Sequence, residues 1–255
     1  MKVRLLSVAV VLAIWALASA VVGSVVLPGP LEVAEAFLRV ASDGRFTAAL
    51  SVSLYALVVG GGAAVLIGIP LGVLLGARRT LGRAFDFYFS ALYVMPFSAV
   101  APLFVLWFGI DAGVRAIFVF FFTLPQIVIV CYQGARTTPE RLLEVAHAFR
   151  ATDLQIFRKT IMPFEVPFIF TALRLGVGRA IQGMVIAELL ISSTQGIGWL
   201  LEGFSGALDI AGVLAIVLFI MLLGVIANAV VQRLENAAAP WYRAMTASQG
   251  DGGDA

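Results

Sequence analysis

Residues 144–163 read EVAHAFRATDLQIFRKTIMP. This stretch holds Glu144, Arg150, Asp153, Arg158, Lys159 and the only histidine, His147, yet it lies between two long apolar segments. Just before it, Thr138-Pro139-Glu140 has the form of a helix start, with Thr138 as N-cap, Pro139 at the first helical position and an acid in the first turn. Leu142, Val145 or Ala146, and Phe149 then share one helical face. Thr152-Asp153-Leu154-Gln155 is a second start, of capping-box form. Leu154, Phe157 and Ile161 continue the period, and Pro163 is expected to end the unit. Residues 138–163 therefore predict a helix, a turn near residues 150–152 and another helix, all outside a bilayer. Such a unit suits either a pair of amphipathic helices lying on lipid headgroups or a docking knob for a protein partner. Its mixed charge signs suit a protein partner slightly better than anionic lipid.

The flanking sequence places this island in a membrane protein. Of 255 residues, 61% are hydrophobic and 13% are charged, where a soluble domain carries about 25% charged residues. Six apolar segments, 5–27, 50–77, 86–108, 113–135, 165–191 and 210–232, each approach or exceed the roughly 20 residues that cross a bilayer. Backbone in hydrocarbon must satisfy its own hydrogen bonds, so these are helices, and alternating barrel strands are absent. The expected fold is all-α, a polytopic membrane protein with six transmembrane helices in a single domain over residues 1–246. Residues 247–255, ASQGDGGDA, read as a disordered tail. Residues 1–20 also resemble a secretory signal, but the apolar run continues to Leu27, so a retained first helix is expected.

Lysine and arginine counting sets the orientation. With the N-terminus inside, Lys2, Arg4, Arg78, Arg79, Arg83, Arg136, Arg141, Arg150, Arg158, Lys159, Arg233 and Arg243 are cytoplasmic, against Arg39, Arg45 and Arg115 outside. Both termini and residues 138–163 are then cytoplasmic. The net charge of +2 gives no reason to expect nucleic acid.

Several separated motifs carry a family resemblance. Glu144, Ala146, Ala151, Phe157 and Pro163 match the spacing of the EAA loop of ABC-transporter permease subunits. PFSAVAPLFVLWFGI at 96–110, RLGVGRA at 174–180, VIAE at 185–188 and GIGWL at 196–200 are similar to motifs of the sulfonate, taurine and nitrate permease group. The resemblance covers about residues 50–235. It implies a homodimeric permease in a bacterial cytoplasmic (inner) membrane, with two copies of an ATP-binding subunit beneath and a periplasmic or extracellular solute-binding protein above. ATP and Mg would belong to the ATPase, with no cofactor in this chain. The residues implied in ATPase coupling are Glu144, Ala146, Phe149, Arg150, Ala151, Phe157 and Pro163. The chain departs from the pattern at Val145, a mild change, and at Arg150, which stands where a turn glycine is usual. Either the turn geometry differs or Arg150 gains a compensating contact. The implied substrate is a small anion such as a sulfonate, taurine or nitrate, and the same architecture also serves vitamin precursors.

Other features carry two readings each. The second segment has small residues at every fourth position, Ala56, Gly60, Ala64, Gly68, Gly72 and Gly76, which suits packing within the subunit or a surface that tightens during transport. Pro96 and Pro102 predict a kinked or broken third span that either lines a cavity or serves packing. Arg174, Arg179 and Glu188 are the ionisable groups deepest in an apolar span. An arginine there presents charge to an anionic substrate's route, or snorkels to the surface. Pro96, Pro102, Arg174, Arg179 and Glu188 are accordingly the candidates for a translocation path. Asp86 suits the N-terminus of the third span, and Trp241 with Tyr242 an interfacial anchor.

Searching for an energy source returns nothing: neither Lys2 nor Lys159 lies in a glycine-rich phosphate loop. No nucleophile–base pair or metal-ligand set argues for an enzyme, and His147 has no second ligand nearby. The rival reading, an ion-coupled secondary transporter, calls for paired charges at mid-membrane and inverted repeats, and neither is evident.

Overall fold

The computed structural model describes residues 2–191 and 195–238. All its regular elements are helical: α1 (Lys2–Val22), α2 (Pro30–Ala41), α3 (Gly44–Ala77), α4 (Arg79–Val94), α5 (Phe97–Phe108), α6 (Ala112–Arg136), α7 (Glu140–Ala148), α8 (Asp153–Leu190), α9 (Ile197–Gly206) and α10 (Ile210–Ala238). Five of them, α1, α3, α6, α8 and α10, are long and apolar enough to cross a membrane, and α4 with α5, bent by 95° at their junction, makes a sixth if the pair is counted as one broken span. The expected tail at 247–255 and the Trp241–Tyr242 anchor lie outside the described residues.

Helix α6 is the centre of the bundle. Over half of its apolar window, 56%, is buried, against 6% for that of α1. Its approach to α3 uses the stripe of small residues: a Cβ on Gly72 would lie 2.6 Å from the Val128 carbonyl oxygen and 2.7 Å from Cys131 Cβ. Packing within the chain is therefore what the stripe does. Ile127, on the same face of α6, packs over Gly68 of α3 and Gly176 of α8, wedging the three helices together. Helix α1 is peripheral and is tied down where Trp15 Nε1 donates to the Pro28 carbonyl at 3.1 Å. Amphipathic α2 was not foreseen; Pro30 starts it, and Glu32 caps it by accepting from the Gly29 N–H at 3.0 Å.

Proline decides less by its presence than by its surroundings. At Pro96 the third span breaks, and α4 and α5 meet at 95°. Pro96 cannot donate to the preceding turn, and it holds Met95 in extended backbone with ψ 130°. Pro102, by contrast, lies inside α5 with no break. Pro163 does not end the charged unit: α8 runs unbroken from Asp153 through it to Leu190. A π-helical turn, Phe157–Ile161, precedes it, so the ladder is already widened where the proline N–H is missing. Two other start signals are also corrected. Pro139 is the N-cap of α7 and Thr138 makes no cap bond, because the proline takes an extended ψ of 130° one residue later than expected. Asp86 lies inside α4, which begins seven residues earlier at Arg79.

The turn between α7 and α8 has the geometry that a glycine would favour. Arg150 has φ 52°, its N–H donates to the His147 carbonyl at 2.8 Å, and the Ala151 N–H donates to Ala146 at 3.0 Å. These two bonds form a complete Schellman motif, with Arg150 at the left-handed C′ position. Then Thr152 caps α8: its Oγ1 accepts from the Gln155 N–H at 3.4 Å, and Gln155 Oε1 accepts from the Thr152 N–H at 2.9 Å. The turn geometry is thus kept, and the arginine bears its strain.

Two stability tests follow from this packing. Replacing Gly72 with valine forces α3 from α6 and should cost about 3 kcal/mol or more, read as a lower melting temperature in detergent, whereas Gly62→Ala, with open space at its Cβ, should be neutral or better. Arg150→Gly should raise stability by about 0.5–1 kcal/mol, the left-handed penalty less glycine's entropy, and Arg150→Val should lower it, both by thermal unfolding.

Candidate functional site

The α7–α8 corner has one anchored face and one open face. Leu143, Ala146, Ala151 and Phe157 pack against the core cluster that includes Val73, Ile156 and Ile161. On the other side α7 buries nothing. Phe149 is 84% exposed, beside exposed Leu142, Val145 and Leu154, with the charges of Glu144 and Arg150 among them. Apolar side chains clustered in this way on an otherwise charged corner mark an interaction surface. Pro163 lines a groove of about 780 Å³ between α7 and α8, with Leu142 and Val145 from α7 and Phe164 and Phe168 from α8.

The deep ionisable residues are sorted into separate environments. Arg174 is paired with Glu235 of α10 at 2.6 Å. Glu188 is almost wholly buried: Ser53 Oγ donates to one carboxylate oxygen at 2.5 Å, and the Gly198 N–H donates to the other at 2.7 Å. The Ile197 N–H donates to Ser53 Oγ at 2.9 Å, so one carboxylate and one hydroxyl hold the start of α9 against α3 and α8. Gly196 has φ +119°, and a Cβ there would sit 2.5 Å from the Glu188 carboxyl carbon, so this position requires glycine. Arg115 is buried and donates to the Gln195 carbonyl at 2.9 Å. Glu188 therefore secures the chain leaving α8.

Arg179 is placed differently. Its guanidinium carbon lies 4.9 Å from the Phe122 ring centre and 5.3 Å from that of Tyr93. Phe97, the first residue after the Pro96 break, packs on the same Phe122 ring at 5.6 Å. Arg179 thus lies against residues that flank the Pro96 break or pack on them, whereas Arg174 and Glu188 have partners of their own. Ser53, Tyr93, Arg115, Phe122 and Glu235 were not singled out in the sequence. A polar or aromatic residue in an apolar run names no partner by itself. Glu165 was passed over too, because it stood at the expected edge of a span. It is wholly buried, and both carboxyl oxygens lack a hydrogen-bond partner among the described residues.

Comparison with known proteins agrees with this arrangement. The chain is 30% identical to a putative aliphatic sulfonates transport permease protein, SsuC, of Escherichia coli, covering 91% of this chain and 88% of that one. It is 27% identical to the formylaminopyrimidine transport permease protein ThiX of Halalkalibacterium halodurans, covering 90% and 92%. Among solved structures, inward-facing forms of the MetNI methionine ABC transporter share the fold with TM-score 0.63 at 19% identity, covering 73% of this chain and 92% of that one. Residues 68–239 match the family described as binding-protein-dependent transport system inner membrane component. With two thirds of its length in that match and its spans in the expected order, the chain belongs to this family of ABC importer permeases.

Proposed function

We propose that residues 138–163 lie in the cytoplasm and receive a separate ATP-binding subunit, which drives import through the spans by alternating access. Both termini are then cytoplasmic, and the membrane is the bacterial inner membrane. ATP and Mg belong to the partner. The functional unit is a second copy of this chain beside the first, with a solute-binding protein delivering substrate from outside. The single observation that carries this reading is the open apolar and charged face of the corner, with Phe149 at 84% exposure.

The continuity of α8 gives the coupling a mechanical route. The helix spans 38 residues, about 57 Å at 1.5 Å per residue. A push on the α7–α8 corner is carried past Pro163 along one rod to Arg179 and Glu188, with the π-turn as its one irregular joint. The substrate is a small solute, and the similarity to SsuC favours an anion such as a sulfonate, taurine or nitrate. The similarity to ThiX supports a second reading, a vitamin-precursor pyrimidine carried by the same architecture.

Co-purification with an ATP-binding subunit of the same organism tests the assignment. Wild type should retain the ATPase through gel filtration, Glu144→Arg should lose it, and Phe149→Ala should weaken the complex about 10- to 100-fold, as expected for an apolar anchor worth roughly 2 kcal/mol. Vesicles holding only this chain that accumulate solute without ATP would overturn the reading.

A further inference from the structure

Of the arginines within the apolar spans, Arg115 and Arg174 are spent. Arg174 is neutralised by Glu235, and Arg115 is bound at Gln195. Arg179 makes no hydrogen bond or ion pair among the described residues, and its Nε is buried without a partner. Contact with Tyr93 and Phe122 supplies cation–π attraction, which recovers only part of the solvation a guanidinium loses. Aromatic rings engage the flat face of a guanidinium. Its edge is a fork of N–H donors, which matches two oxygens of one oxyanion.

The surroundings point the same way. Tyr93 lies two residues before Met95, where the third span breaks, and irregular backbone at membrane depth is tolerated only against protein or a water-filled cavity. On α8, Gly178 has open space beside it, and Gln182, one turn outward from Arg179, is exposed. Leu175, one turn inward, is 47% exposed. A charged and amide-bearing face left uncovered by this chain in the middle of a span suits an aqueous path better than lipid.

We propose that Arg179 is an anion-reading residue on the translocation path, a transient site for the sulfonate, nitrate or carboxylate head of a small solute. Tyr93 and Phe122 hold the guanidinium in place, and Gln182 offers an amide one turn further out. This rests on the importer reading and narrows its substrate to solutes that carry an oxyanion. Arg174 takes no part, since Glu235 already occupies it.

The test uses the full chain with its ATPase in lipid nanodiscs, with sodium ethanesulfonate replacing sodium chloride at constant ionic strength. Wild type should show a saturable rise in melting temperature. Arg179→Gln should abolish the rise, Arg179→Lys should need about tenfold more ethanesulfonate, and Arg174→Gln should respond as wild type does. Gel filtration shows that each variant is assembled, and the lysine variant keeps the test decisive should the glutamine one fail to fold. No rise in wild type, an unchanged rise in Arg179→Gln, or an equal loss in Arg174→Gln would overturn the site. A wild type that holds its ATPase but shows no rise removes the anion site and leaves the importer assignment standing. A wild type that never holds the ATPase removes the assignment itself.

Discussion

The architecture depends on one distance, the approach of the α3 backbone to that of α6. Lipid tails are as apolar as leucine, so helices in a bilayer gain little by hiding from solvent and cohere through short-range dispersion. That attraction falls off within an ångström, which makes glycine at the contact worth more than a larger apolar side chain. Gly68 and Gly72 admit Ile127 and the Val128–Cys131 turn of α6, and Gly176 of α8 closes on Ile127 from the other side. Once α6 is held in this way, Phe122 and Phe118 are placed to meet α5 and the arginine of α8.

Against this rigid centre, α8 behaves as a single long element that joins two environments. Its first turns lie in the charged corner and its last turn carries Glu188, which is clamped to Ser53 and to the start of α9. The prolines along the chain show why continuity is not read from residue type. Pro163 follows a π-turn and is absorbed, while Pro96 lies in a helix with no such slack and breaks it. The helix breaks at Pro96, and the Arg179 guanidinium lies over Tyr93 in its last turn.

Much of this was legible from residue patterns. The apolar segments, the stripe of small residues and the capping box over residues 152–155 all express local rules, because a helix's periodicity and its caps depend on neighbours within four positions. Arg150 was visible as the residue standing where a glycine is usual. Only its φ of 52° showed that the turn keeps the left-handed geometry in spite of the side chain. Short amphipathic α2 and α9 escaped notice because each is too short and too mixed to stand out beside six apolar runs. The N-caps of α4 and α7 moved because a cap is a competition among adjacent residues that composition alone does not rank.

By itself, the sequence determined that the chain is a helical membrane protein with a charged two-helix corner, because hydrophobic run length and helical period are properties of neighbouring residues. Tertiary structure alone decided which charges are spent. Arg174 meets Glu235 across 61 residues, Glu188 meets Ser53 across 135, and Arg179 meets the Tyr93 and Phe122 rings with no ion pair among the described residues. Pairing over such separations depends on how the helices pack and rotate against one another, and that is set by the summed contacts of the whole bundle.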